Sequence, residues 1–308
     1  MDLKSTAMLD AALSNALQLR WVQSMPSQLL FQYDWVQDAR FQAKIEYCHD
    51  FFLLKISTGL GGITEKLWCR VSKDCLSRVE KLTKTTLIWV ILHETSHFDL
   101  GHFKLATCFR LAQRASLIEP IDALQCDVPA FAPLCLELQA DHEASELLLG
   151  IYSIDAWKEL CEKVLAISGT MMLIELEDVK NGAEGRTHPK AATRIFQLLG
   201  HLSEMPLIRA QLNQDASLIP HEEELQAFAH EVTIPCFFDA IQLAQAAGAV
   251  SIANDLGSPE NFFKDLEIAK LGDPSRYVEL KTEGAREWAK LWPCNEALKP
   301  ILGGHFKT

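Results

Sequence analysis

"LIWVILHETSHFDLGHF", Leu87 to Phe103, sets three histidines and a glutamate in an otherwise apolar segment. Within it, His93-Glu94-Thr95-Ser96-His97 fits the pattern H-E-x-x-H. On a helix, residues four apart stand one turn above each other, so both imidazoles can reach one metal ion. Glu94 lies about 100° further round, from where it can reach a water held by that ion. Leu87, Ile88, Val90, Ile91 and Leu92 predict a buried helix, and burying imidazoles and a carboxylate without partners is costly. A metal removes that cost. The competing reading is a core helix whose histidines are satisfied by backbone carbonyls. Five positions with two wildcards do not choose between the two.

Working outward, the residues after His97 exclude one extension of the motif. A third histidine ligand on the same segment would need Gly at 100 and His at 103, and those positions are Leu100 and Phe103. Gly101 can end the helix, which leaves His102 beyond the metal as a surface residue or a neighbour of the ligands. A hydrolytic zinc site keeps three protein ligands and an open position. "LELQADHEASELLL" (136–149) supplies a candidate third. Glu137, Ala140, Asp141 and Ala144 share one helical face. The alanines allow a close helix approach, so that Glu137 reaches the metal and Asp141 accepts the outward N–H of a ligand histidine. The alternative is a solvated acidic face, the reading that suits Glu143 and Glu146.

A third stretch, "RTHPKAATRIFQLL" (186–199), places Pro189 in the first turn of a helix capped by Thr187 or His188. A histidine or arginine at such a helix start, here His188, can stabilise the oxyanion of a tetrahedral intermediate. The plain alternative is a Thr-His-Pro turn with Arg194 on the surface.

Around these stretches the chain is of ordinary globular composition. Its 308 residues, 48% apolar and 23% charged, suffice for one large domain or two smaller ones. A formal net charge of -12 argues against nucleic acid as the main partner. The nine cysteines are an odd number with no C-x-x-C, which suits reduced thiols in the cytoplasm and argues against a thiolate zinc site. No signal peptide and no uninterrupted membrane-spanning run is read, so the expected partners exclude a membrane.

The periodicity predicts a helix over 6–24, two to four antiparallel strands that include 41–47 and 51–57, and a "GLGG" turn at 59–62 before "ITEKLWCRV". Helices follow at 73–83, 85–100, 133–149, 154–178, 189–202, 222–230 and 236–250. Loops are expected at 119–134 and 177–189. The expected class is α+β, mostly helical. Three segments are expected: 1–72, an N-terminal helix plus sheet; 73–205, the chemical core; and 206–308, a helical extension, together one globular unit.

In this order, H-E-x-x-H, E-x-x-A-D and T-H-P followed by R-I resemble the gluzincin metallopeptidases, with a layout similar to soluble members of the CAAX-prenyl-protease and HtpX-like superfamily. "IWVILHETSH", "LELQADHEASELLL" and the helix before "THPKAATRI" resemble more closely the Lit family of phage-exclusion peptidases, over about residues 85–200. The resemblance implies a zincin-like core, Zn2+ held by His93, His97 and Glu137, and Glu94 as general base. His188 then assists the oxyanion or takes the zinc's fourth position, with Asp141 and Arg194 behind the ligands. It implies a latent cytoplasmic endopeptidase acting on a protein substrate, such as a host translation factor, when a phage signal or an activating or inhibiting protein partner switches it. The longer gap between His97 and Glu137 departs from that family's pattern and suggests a lid over 104–134. A housekeeping quality-control metallopeptidase and a non-catalytic zinc-binding regulator remain the alternatives.

Overall fold

The computed structural model describes residues 3–23, 31–48, 51–72, 75–104 and 128–302. Helix α1 (Leu3–Gln23) turns Leu9, Leu13 and Ala16 into the core. Three strands follow, β1 (Phe31–Val36), β2 (Ala43–Cys48) and β3 (Phe51–Ser57). They pair in the order β1-β3-β2. β2 and β3 are antiparallel as the alternation predicts, with Ile45 opposite Leu54. β1 runs parallel to β3, so the sheet is mixed, which corrects the antiparallel expectation. β3 has a paired strand on each side and buries Phe52, Leu54 and Ile56. β2 lies at an edge of the sheet, beside the helix that carries the H-E-x-x-H residues.

"GLGG" is not a turn. It lies in the first turns of α2 (Thr58–Val71), where the Gly59 N–H donates to the Asp38 carbonyl at 2.7 Å. A side chain at Gly59 would collide with the Ala39 carbonyl, so this glycine serves a close approach of helix to chain. The helices expected at 73–83 and 85–100 are one, α3 (Leu76–Asp99), because nothing between Thr83 and Thr85 breaks a helix. It ends at Gly101 with φ 74°, as the glycine predicts.

Of the remaining helices, the first two in chain order pack against α3. The set is α4 (Val128–Leu149), α5 (Trp157–Lys180), α6 (Ala191–Asn213), α7 (Glu222–Phe228), α8 (Ile234–Ala247), α9 (Val250–Leu256), α10 (Pro259–Lys270) and α11 (Glu283–Leu302). The helix expected over 222–230 instead passes into a π-helical turn at Ala229–Thr233 that leads directly into α8. The loop expected over 119–134 is helical from residue 128, with Pro133 exposed on α4. Residues 105–127, and with them most of the proposed lid, lie outside the described residues.

One apolar core runs from Leu9 through Trp89 and Phe196 to Phe237, Phe262 and Ala285. Helix α6 crosses residue 206 with Pro206 inside it, and the C-terminal helices share the core with the rest. A smaller cluster packs Leu134, Cys135 and Leu138 of α4 against Leu291, Cys294 and Leu298 of α11. The C-terminal helix therefore lies directly on the helix that carries Glu137. Among the described residues, no helix is long and apolar enough to cross a membrane.

Gly169 of α5 lies against Trp68, whose ring is fully buried, and an added Cβ would come within 2.5 Å of it. Alanine gains up to about 1 kcal/mol of helix propensity over glycine. Overpacking a rigid indole costs roughly 1–3 kcal/mol. The clash is expected to win, so Gly169→Ala should unfold at lower urea than the parent; an unchanged or raised midpoint would refute the tight contact.

Candidate metal and catalytic site

The buried stripe of α3 holds the site still. Leu87 to Leu92 are all buried, and His93 follows them into the core while His97, one turn on, is half-buried. α4 packs against α3, and Ala140 and Ala144 are wholly buried. The approach brings Glu137 to the two histidines. Its Oε2 lies 3.1 Å from His93 Nε2 and its Oε1 lies 3.6 Å from His97 Nε2. The two Nε2 atoms are 3.4 Å apart. One donor atom from each of the three residues thus falls within 4.8 Å of the others.

The outward side of His93 faces Asp141, whose Oδ1 is 2.9 Å from Nδ1. The ring N–H is not aimed squarely at that oxygen, so the contact is chiefly one of charge. Asp141 is fixed by Arg194, which donates from Nε and Nη2 at 2.6 and 2.7 Å. Both are almost wholly buried, which overturns the surface alternative for Arg194. The guanidinium also lies 5.9 Å from the Trp89 ring centre, and Trp89 stacks beside His93.

Burial raises the cost of the Asp141 charge, but the Arg194 guanidinium outweighs it and holds the carboxyl below its usual range. Burial likewise opposes charge on His93, yet Asp141 and Glu137 together lift it to about 10. Glu137 is pressed upward by burial and pulled well below the ordinary value by His97 and His93. Without a metal, then, His93 is an imidazolium between two carboxylates. A raised folded-state pKa stabilises fully below the unfolded value and is lost as pH rises through the folded one. The metal-free protein is therefore expected to lose unfolding free energy between about pH 6.5 and 10. Urea titrations across that window test this, and a profile identical to that of His93→Gln would contradict it.

Glu94 follows His93 on α3. Its Oε2 accepts from the backbone N–H of Ile45 at 3.0 Å, so the edge strand β2 positions the carboxylate. His188 comes to the site as well, with Nε2 3.6 Å from Glu137 Oε2 and Nδ1 2.8 Å from Asp178 Oδ2. It is not a helix cap. α6 begins at Ala191 after Lys190, and the free N–H groups there donate to Glu287 and Glu175. Thr187 instead donates to the same Asp178 oxygen that holds His188, at 2.9 Å.

His102 departs from the surface alternative. It is buried, with Nδ1 2.8 Å from His97 Nδ1 and Nε2 3.1 Å from Gln139 Oε1. Burial and the neighbouring His97 hold its pKa down at about 3, so the ring is neutral. Four contributors escaped the sequence reading: the Ile45 amide, Asp178, Gln139, which faces His102, and Asn295, whose Oδ1 accepts from Gln139. Only Gln139, inside "LELQAD", carried a local signal, and its position on the helix does not reveal its partner.

Residues 69–207, just under half of the chain, match the model of the Peptidase U49 family, which includes the Lit enzymes. The matched segment contains His93, Glu94, His97, Glu137, Asp141, His188 and Arg194, and it supports a peptidase. No curated protein and no solved structure matches the chain.

Proposed function

We propose that this peptidase is a zinc-dependent endopeptidase of the gluzincin type, with His93, His97 and Glu137 as metal ligands and Glu94 as general base. The convergence of two imidazole nitrogens and a carboxylate carries the reading. Ligands about 2.0–2.1 Å from a tetrahedral zinc lie roughly 3.3 Å from one another. The observed separations of 3.1, 3.4 and 3.6 Å suit that donor set. Zinc in such a site acidifies a bound water and polarises the scissile carbonyl.

The chain's own groups supply the rest. Glu94, steadied by the Ile45 amide, takes the proton of the attacking water and passes it to the leaving amine. The open side of β2 is suited to receive an extended peptide by strand addition. His188, anchored by Asp178, turns Nε2 toward the ligands, where it donates to the developing oxyanion. The resemblance to the Lit family supports a switched enzyme of phage defence in the cytoplasm, cutting a host protein such as a translation factor.

Two measurements test this. Purified protein should hold one zinc per chain, and new peptide N-termini should arise in a host lysate only while that zinc is present. Cleavage that survives complete removal of metal would refute the reading. His188→Gln should slow cleavage with zinc content unchanged; loss of zinc instead would make His188 a ligand.

A further inference from the structure

A second pair of histidines repeats the ring geometry of His93 and His97. His142 of α4 and His201 of α6 stand with ring centres 4.9 Å apart and planes at 88°. For His93 and His97 the values are 5.0 Å and 85°, and there the two Nε2 atoms lie 3.4 Å apart. The His142 side chain is exposed and His201 is half-buried, so solvent reaches the pair. No described residue hydrogen-bonds to either ring, which leaves the ring nitrogens to an outside partner.

Carboxylates supply the charge. Glu146 stands four residues after His142 on α4, and Glu204 three after His201 on α6, so each shares a helix face with its histidine. Both act on His142 as negative charges, opposed by Lys299 of α11. Burial and the His142 ring hold His201 down at about 3, so its lone pair is available at neutral pH. Two imidazoles with a carboxylate suit zinc and its late transition-metal neighbours, whereas calcium and magnesium prefer oxygen donors. Among the described residues, His93, His97 and Glu137 are the group whose three donor atoms have already converged. At the second pair only the imidazoles meet, and the exposed Glu146 can complete the set by rotating its side chain.

We propose that His142 and His201, completed by Glu146 or Glu204, form a second and weaker site for a zinc-class divalent cation. The ion cross-links α4, which carries Glu137 and Asp141, to α6, which carries Arg194. The site shares no residue with the proposed catalytic centre, so it stands whether or not that centre binds zinc.

Zinc alone, titrated calorimetrically into the metal-free full chain at mildly alkaline pH, tests this. The parent should take two equivalents, one of them removable by dialysis; if the catalytic centre binds none, the dialysable one alone is expected. His142→Ala should weaken the dialysable equivalent by more than the roughly 10–100-fold that losing a ligand's outer partner costs. His201→Gln should do the same, and serves alone if His142→Ala does not fold. In the parent, the ring signals of His142 and His201 should shift together in the NMR spectrum as that equivalent is added. A parent with no dialysable equivalent, or one that both variants leave unchanged and is thus an adventitious ion only, overturns the proposal.

Discussion

On the proposed zinc-peptidase reading, Glu94→Gln is expected to give a folded protein with the parent's zinc content and peptide-bond cleavage lowered by roughly 10²–10⁴-fold, the usual worth of a general acid–base group. Glutamine matches glutamate in shape, and its side-chain oxygen can still accept from the Ile45 N–H, now 3.0 Å from Glu94. Stability should therefore change by about 1 kcal/mol at most. The amide has no carboxylate to take a proton, so the chemical step fails while binding of metal and peptide does not. Initial cleavage rates, zinc content and the urea midpoint of parent and variant decide the matter together. A variant keeping more than about a tenth of the parent rate falls outside that range and would remove Glu94 from the role.

Arg194→Leu should have the largest effect on stability. It leaves the Asp141 carboxylate buried without the two hydrogen bonds that now fix it. Removing one partner of a buried pair costs about 3–5 kcal/mol, because the remaining charge stays out of water. For a chain of this length that is a fall in Tm of roughly 5–8 °C. Replacing Asp141 and Arg194 together with leucine should restore part of the stability, since no buried charge then lacks its partner. It should not restore metal binding, because His93 loses the carboxylate beside its Nδ1, a loss that typically costs about 10–100-fold in affinity. A single variant within 1 kcal/mol of the parent would show that the pair contributes little to the fold.

The helices were legible where periodicity and stop signals agreed. α1 and α5 lie close to their expected spans, and Gly101 ends α3 as its sequence suggests. The failures have separate causes. "GLGG" carries the composition of a turn, yet Gly59 is small because the Ala39 carbonyl occupies the space where a side chain would stand. The strand β1, "FQYDWV", alternates aromatic and polar residues but was not recognised, and its parallel pairing with β3 is a property of chain path rather than of pattern. α6 begins after Lys190 because carboxylates from α5 and α11 accept its first N–H groups, where local sequence had pointed to Thr187 or His188.

For the site, the sequence alone determined which residue types stand one helical turn apart: His93 and His97 on α3, and Glu137 and Asp141 on α4. Such spacing is enforced by the 3.6-residue period, and no tertiary contact can alter it. Only the tertiary structure decided which of these groups meet and which nitrogen of each ring faces inward. Hydrogen-bond partners such as Ile45, Asp178, Gln139 and Asn295 come from elements remote in the chain. Their distances are set by how the helices pack, which the order of residues along any one helix does not express.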